Sequence, residues 1–160
     1  MTPIPESTGL TIGKYQTQAP VNVLAIAHDL GINVWQQDSL TPPVSGMLCP
    51  DKINGGISGF SIIVRKSDSP ERKRFTVAHE IAHFILHREQ ANGGITDDEM
   101  YRSGLSSREE TEANKLAADI LMPYSLVSSL VSSGHRTVPE LAKKLGVSKT
   151  AMNIRLNIPT

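Results

Sequence analysis

The residues of this 160-residue chain with the plainest chemical potential lie in the run His79-Glu80-Ile81-Ala82-His83. On a helix, a four-residue step turns about 40° and rises about 6 Å, so both imidazoles leave one face. Two neutral ring nitrogens so placed can reach a single Zn²⁺ at roughly 2.0–2.1 Å. The carboxylate between them points near the same place, where it can take a proton from metal-activated water. The bland alternative is a pair of solvated or packed histidines. That alternative requires neither an amphipathic helix around the run nor an acidic ligand downstream, and the sequence offers both.

A hydrolytic zinc site takes three protein ligands and leaves a fourth position open for water. The candidates for the third ligand lie in Arg108-Glu109-Glu110-Thr111-Glu112-Ala113-Asn114. At 100° per residue, Glu109 and Glu110 each lie about 50° from the centre of this helix's apolar stripe, on opposite sides, and Glu112 about 110° away. Glu112 is therefore the weakest of the three. Ser107-x-x-Glu110 and Ser106-x-x-Glu109 also read as capping boxes, and acidic residues suit a first helical turn in any case. Geometry alone leaves the choice open.

The elements that must position these residues follow from periodicity and punctuation. Residues 1–19 are polar and aperiodic and read as a flexible arm. Val21 to Leu30 reads as a first helix stopped by Gly31, and Ile32 to Trp35 as a short strand. The Pro- and Gly-rich stretch 41–59 holds at most one broken strand around 44–48. Phe60-Ser61-Ile62-Ile63-Val64 is the strongest strand signal, and its Ile62, Ile63 and Val64 are candidates for pairing with an extended substrate as well as for the core. Ser69-Pro70 starts a helix that runs to about His87, with Phe75, Ala78, Ala82 and Ile85 at helical spacing. Residues 88–106 read as a loop. Further helices are expected at 107–121, at 123–133, after the capping box Thr137-Val138-Pro139-Glu140, and from Ser148 to about Leu156. Three or four strands against five or six helices make an α+β domain. The expected division is an arm at 1–19, a metallopeptidase domain at 20–134 and a C-terminal helix pair at 135–160.

Composition narrows the class. An apolar fraction of 39% with 20% charged residues is that of an ordinary globular domain. A formal charge of zero gives no overall electrostatic case for nucleic acid or membrane. Residues 135–160 carry Arg136, Lys143, Lys144, Lys149 and Arg155 against Glu140 alone. The single cysteine, Cys49, excludes an intramolecular disulfide and reads as a small buried residue. With no long apolar run and no leader-like start, the expected location is the cytoplasm.

Phe75-Thr76-Val77-Ala78-His79-Glu80-Ile81-Ala82-His83, followed by Glu110 to Asn114 and on to Met122-Pro123, resembles the ImmA/IrrE family of metallo-endopeptidases. The resemblance runs from about residue 20 to 157. It implies a zincin-like core, one Zn²⁺ per chain held by His79, His83 and Glu110, and Glu80 as the general base. Asn114 and His87 are then candidates for supporting the ligands, and Tyr101 for stabilising an oxyanion. His28 and His135 have no partner visible in the sequence. Leu141-Ala142-x-x-Leu145-Gly146-Val147-Ser148, with Met152 and Arg155, resembles a helix-turn-helix.

The resemblance further implies a substrate, a helix-turn-helix transcriptional repressor whose cleavage relieves repression. The alternatives are a non-catalytic anti-repressor or antitoxin-like binding module on the same fold, and a DNA-binding regulator acting through residues 137–157. Direct DNA binding is the less favoured role for the C-terminal pair, which also serves as a packing unit.

Overall fold

The computed structural model describes residues 4–38, 44–90, 95–98 and 107–157. Its elements run α1 (Glu6–Lys14), α2 (Val23–Asp29), β1 (Ile32–Gln37), β2 (Val44–Pro50), β3 (Phe60–Arg65), α3 (Pro70–His87), β4 (Ile95–Asp98), α4 (Ser107–Leu121), α5 (Tyr124–Ser132), α6 (Val138–Leu145) and α7 (Lys149–Arg155), with one 3-10 turn at Arg88–Gln90. Short polar side chains set several helix starts. Asn22, Ser69, Thr137 and Ser148 accept from the backbone N–H of Ala25, Arg72, Glu140 and Ala151 at 3.0–3.3 Å. Each fills a donor that the first helical turn leaves without an internal partner. The Glu140 carboxylate returns the bond to the Arg136 N–H at 3.1 Å, one residue earlier than a capping box would place it.

The strands form one mixed sheet in the order β1-β3-β2-β4, with β1 parallel to β3 and β2 antiparallel to both of its neighbours. α3 lies against β2 and β3 on one side and α4 on the other. Its stretch from Thr76 to Phe84 is accordingly buried around the whole circumference. Ile62 and Leu48 from the sheet, Ile81 from α3, and Ile120 and Leu121 from α4 are fully enclosed in a single apolar core.

Three expectations are corrected. The arm is not structureless: residues 6–14 form α1, which buries Ile12 in the core, and Gln16 beyond it donates to the carbonyls of Asp119 and Ile120 at 2.9 and 3.1 Å. Two glycines and three hydroxyl residues make α1 a poor helix by propensity, so its stabilisation comes from docking, which local composition does not record. Within the expected loop 88–106, Ile95–Asp98 form β4, a strand held by pairing with β2 rather than by its own apolar pattern. Ile62, Ile63 and Val64 cannot pair with a substrate, because β3 is interior. They face Val34, Trp35 and Gln36 of β1 on one side and Leu48, Met47 and Gly46 of β2 on the other. Both ladders of the strand are spent, and the free edges among the described residues belong to β1 and β4.

Two arginines join the C-terminal helices to the rest. Arg74 of α3 donates to the carbonyls of Val21, Leu145 and Gly146 at 2.8, 3.3 and 3.2 Å. Gly146 takes φ 67°, and a Cβ there would stand 2.6 Å from the Arg74 Nε, so both the turn and the arginine require glycine. Arg155 of α7 donates to the Met122 carbonyl at 2.9 Å, pairs with Asp119 at 2.8 Å and lies 3.9 Å over the Tyr124 ring.

Candidate metal centre

The four-residue step in α3 places the Nε2 atoms of His79 and His83 3.0 Å apart, and α4 delivers Glu110 to the same point. Its carboxylate oxygens lie 3.3 Å from the His79 Nε2 and 2.9 Å from the His83 Nε2. All three residues are buried. Ligands about 2.0–2.1 Å from one tetrahedral zinc stand about 3.3–3.4 Å from each other, close to this spacing. Neutral imidazole nitrogens and a carboxylate oxygen all present lone pairs, so their convergence in a buried place is costly unless a cation shares them. The donor set therefore fits a divalent transition metal, and the two nitrogens with one carboxylate suit zinc. Among the described residues this is the one such cluster of ligand atoms.

Glu80 is completely buried, one step along α3 from His79. Its position depends on Gly46 of β2. A Cβ on Gly46 would lie 2.4 Å from the Thr76 Cγ2 and 3.2 Å from the Glu80 Oε2. Glycine at this point lets the strand backbone close onto the helix beside the Glu80 carboxylate. A β-bulge between Val44 and Gly46 shifts the pairing with β4 at the same place, a distortion common next to active sites. Nothing in the sequence around Gly46 points to Glu80, although a lone glycine in a strand is a recognised sign of close backbone approach.

Behind the ligands, His83 Nδ1 and His87 Nδ1 are 3.0 Å apart, and His87 Nε2 is 3.6 Å from the Glu112 carboxylate. With the His83 Nε2 turned to the ligand cluster, its Nδ1 carries the proton and donates to His87. His87 in turn presents an N–H to Glu112, so the acid orients one histidine through another. Burial, and then the neighbouring His83, push the His87 imidazole below its ordinary pKa against the pull of Glu112 and Glu109. It stays neutral at neutral pH. Glu112, expected to face outward, thus has an inward role that its angle on the helical wheel did not suggest.

The other candidates separate. Asn114 is exposed, on the α4 face that lines a groove beside Phe75, and it is not among the groups clustered at His79, His83 and Glu110. Tyr101 lies outside the described residues. Phe75 stacks on the His79 ring with centroids 6.3 Å apart and planes at 26°, which holds that imidazole from the outside. Cys49 is half-buried, and burial, with a smaller contribution from Asp51, raises its thiol pKa. That is the opposite of what a nucleophile needs.

Comparison with known proteins bears on the whole chain. The family described as Peptidase M78, IrrE N-terminal-like domain, matches residues 27–157. The radiation response metalloprotease IrrE of Deinococcus deserti is 30% identical over 158 residues, covering 93% of this chain and 55% of that protein. IrrE of Deinococcus radiodurans is 34% identical over 93 residues, covering 56% of this chain and 28% of that protein. The chain spans about half the length, or less, of these relatives. A solved structure of a Mycobacterium tuberculosis transcriptional regulator superposes with a TM-score of 0.62 at 16% identity, over 96% of this chain and 48% of the other. That likeness is one of fold.

Proposed function

This chain belongs to the Peptidase M78 family of IrrE N-terminal-like domains, and on that premise we propose that it is a zinc-dependent endopeptidase that cleaves a helix-turn-helix transcriptional repressor in the cytoplasm. The observation that carries the reading is the convergence of the two imidazole nitrogens and the Glu110 carboxylate beside a buried Glu80. His79, His83 and Glu110 would hold the metal, and zinc bound there would supply acidification of water and polarisation of the scissile carbonyl.

Glu80, enclosed between α3 and the β2 backbone at Gly46, accepts the proton of the attacking water. The same carboxyl then delivers it to the departing amine. His87 and Glu112 keep the His83 ring in the tautomer that leaves its Nε2 free to bind. The substrate backbone pairs with β4, whose inner side is already bonded to β2 opposite Gly46 and whose outer side is an edge among the described residues.

α6 and α7 form a helix-turn-helix-like pair that recognises protein rather than DNA. To read bases, a helix must project into a major groove about 12 Å wide. α7 instead turns Thr150, Ala151 and Ile154 into a concave groove shared with α4. The relatives named for the radiation response support the metalloprotease reading, and the repressor as substrate rests on the family resemblance.

The test is co-expression with the repressor encoded beside the protein, comparing the native chain with Glu80→Gln. Cleavage by the native chain and none by the variant, at equal zinc content and melting temperature, is the expected result. Relief of repression by both forms with the repressor intact would replace the peptidase with a non-catalytic binding module. A salt-dependent shift of duplex DNA by the chain alone would favour the DNA-binding reading.

A further inference from the structure

The groove between the first half of α3, the outer face of α4 and the C-terminal helices has a volume of about 1200 Å³. That exceeds the 300–1,000 Å³ usual for small-molecule sites. Phe75, Ala118 and Ala151 contribute apolar surface over the buried Met122, Ala142 and Val147, and Tyr124 and Ile154 line it while 59% and 68% exposed. Apolar side chains held open in a concavity mark an interaction site more often than an accident of folding. Arg72, Lys115, Lys143, Lys149 and Arg155 line it against two carboxylates, Glu71 and Asp119. Asp119 is already paired with Arg155. Among the described residues no carboxylate forms an ion pair with Lys115, Lys143 or Lys149.

The walls are helices and offer no strand edge. An extended peptide laid on them would strip water from its own N–H and C=O groups without replacing those bonds. A helix satisfies its backbone internally and needs only an apolar stripe. Groove-lining residues of α4 run from Thr111 to Asp119, with Met122 just beyond. At 1.5 Å per residue that wall is about 16 Å long, the length of a three-turn helix. We propose that this groove docks an acidic amphipathic helix of a partner protein, with the apolar stripe on Phe75, Ala151 and Ile154 and the acidic flanks against Lys115, Lys143 and Lys149.

Because Phe75 both lines the groove and stacks on His79, the docked helix lies next to the metal centre. Resting on the peptidase reading, the groove is an exosite that selects the substrate. The pairing of charges across it adds encounter rate and discrimination, and the buried stripe adds most of the affinity.

The experiment titrates the full chain into labelled synthetic peptides of about three helical turns, followed by fluorescence anisotropy. One peptide carries leucines on a single face among glutamates. A second scrambles the same composition, a third replaces glutamate with lysine, and a short DNA duplex competes. The amphipathic acidic peptide binds at least about tenfold more tightly than the other two. Ile154→Asp, at an exposed position, weakens it about tenfold or more, and Lys143→Glu with Lys149→Glu moves the preference to the lysine peptide.

Equal binding of the acidic and scrambled peptides, indifference to Ile154→Asp, or stronger competition by DNA would overturn the assignment. All titrations are repeated on the Glu80→Gln chain, where peptide binding is unchanged. Saturating acidic peptide slows repressor cleavage by the native chain; binding without that effect would separate the groove from substrate selection and overturn the exosite. Absence of cleavage with peptide binding intact counts against the peptidase reading alone.

Discussion

Gly46→Ala isolates the contact that holds β2 against α3, the helix that carries Glu80. The new Cβ would stand 2.4 Å from the Thr76 Cγ2, against the 3.5–4.0 Å at which carbon atoms rest. β2 and α3 must part by about 1 Å, an overpacking that costs about 1–3 kcal/mol. For a chain of this size each kcal/mol lowers the melting temperature by about 2–4 °C. The same Cβ would lie 3.2 Å from the Glu80 Oε2, so the separation also displaces the carboxylate. Misplacing a reacting group by about 1 Å costs on the order of 10²-fold in rate.

The assay pairs thermal unfolding by circular dichroism with single-turnover cleavage of the repressor proposed as substrate, and Thr76→Ser supplies the control. It removes the methyl that the new Cβ strikes and leaves the contact with Glu80. The double variant is expected to be more stable than the sum of the single effects by about 0.5–3 kcal/mol, while its cleavage rate recovers only in part. A Gly46→Ala chain with native melting and turnover, or strictly additive stabilities, would refute the account of how β2 places Glu80.

Other outcomes follow from the same geometry. Glu110→Ala loses bound zinc while Glu112→Ala retains it, as measured by metal analysis after dialysis; full retention in Glu110→Ala would remove Glu110 as a ligand. His87→Ala keeps the ligand set but weakens zinc affinity by about 10–100-fold in chelator competition, because nothing then fixes the His83 ring. Arg74→Met leaves the carbonyls of Val21, Leu145 and Gly146 without their charged donor. The loss is about 1.5–3 kcal/mol, read as a lower midpoint in urea.

What the sequence by itself determined is what short-range geometry controls. The α3 start comes from Ser69 and Pro70, and the common face of His79 and His83 comes from the pitch of the helix alone. The apolar stripe of α4 with Leu116, Ile120 and Leu121, and the C-terminal pair around Gly146, are equally local. Docking stabilises α1, so nine residues with two glycines gave no local sign of it. Strand order is not local either, and Ile62 to Val64 could not be recognised as interior until β1 and β2 had closed on both sides. β4 is a strand only because β2 offers it a ladder.

The third ligand shows the division most sharply. Glu109 and Glu110 stand at equal angles from the apolar stripe, and resemblance to a family, not the wheel, preferred Glu110. The rotation of α4 against α3 brings Glu110 to the two imidazoles and turns Glu112 to His87. That rotation is set by how two side-chain surfaces interlock across the core, a quantity no single helix contains. The groove that α4 shares with the C-terminal helices has the same origin. Its basic residues come from three separate stretches of the chain, and only packing makes them neighbours.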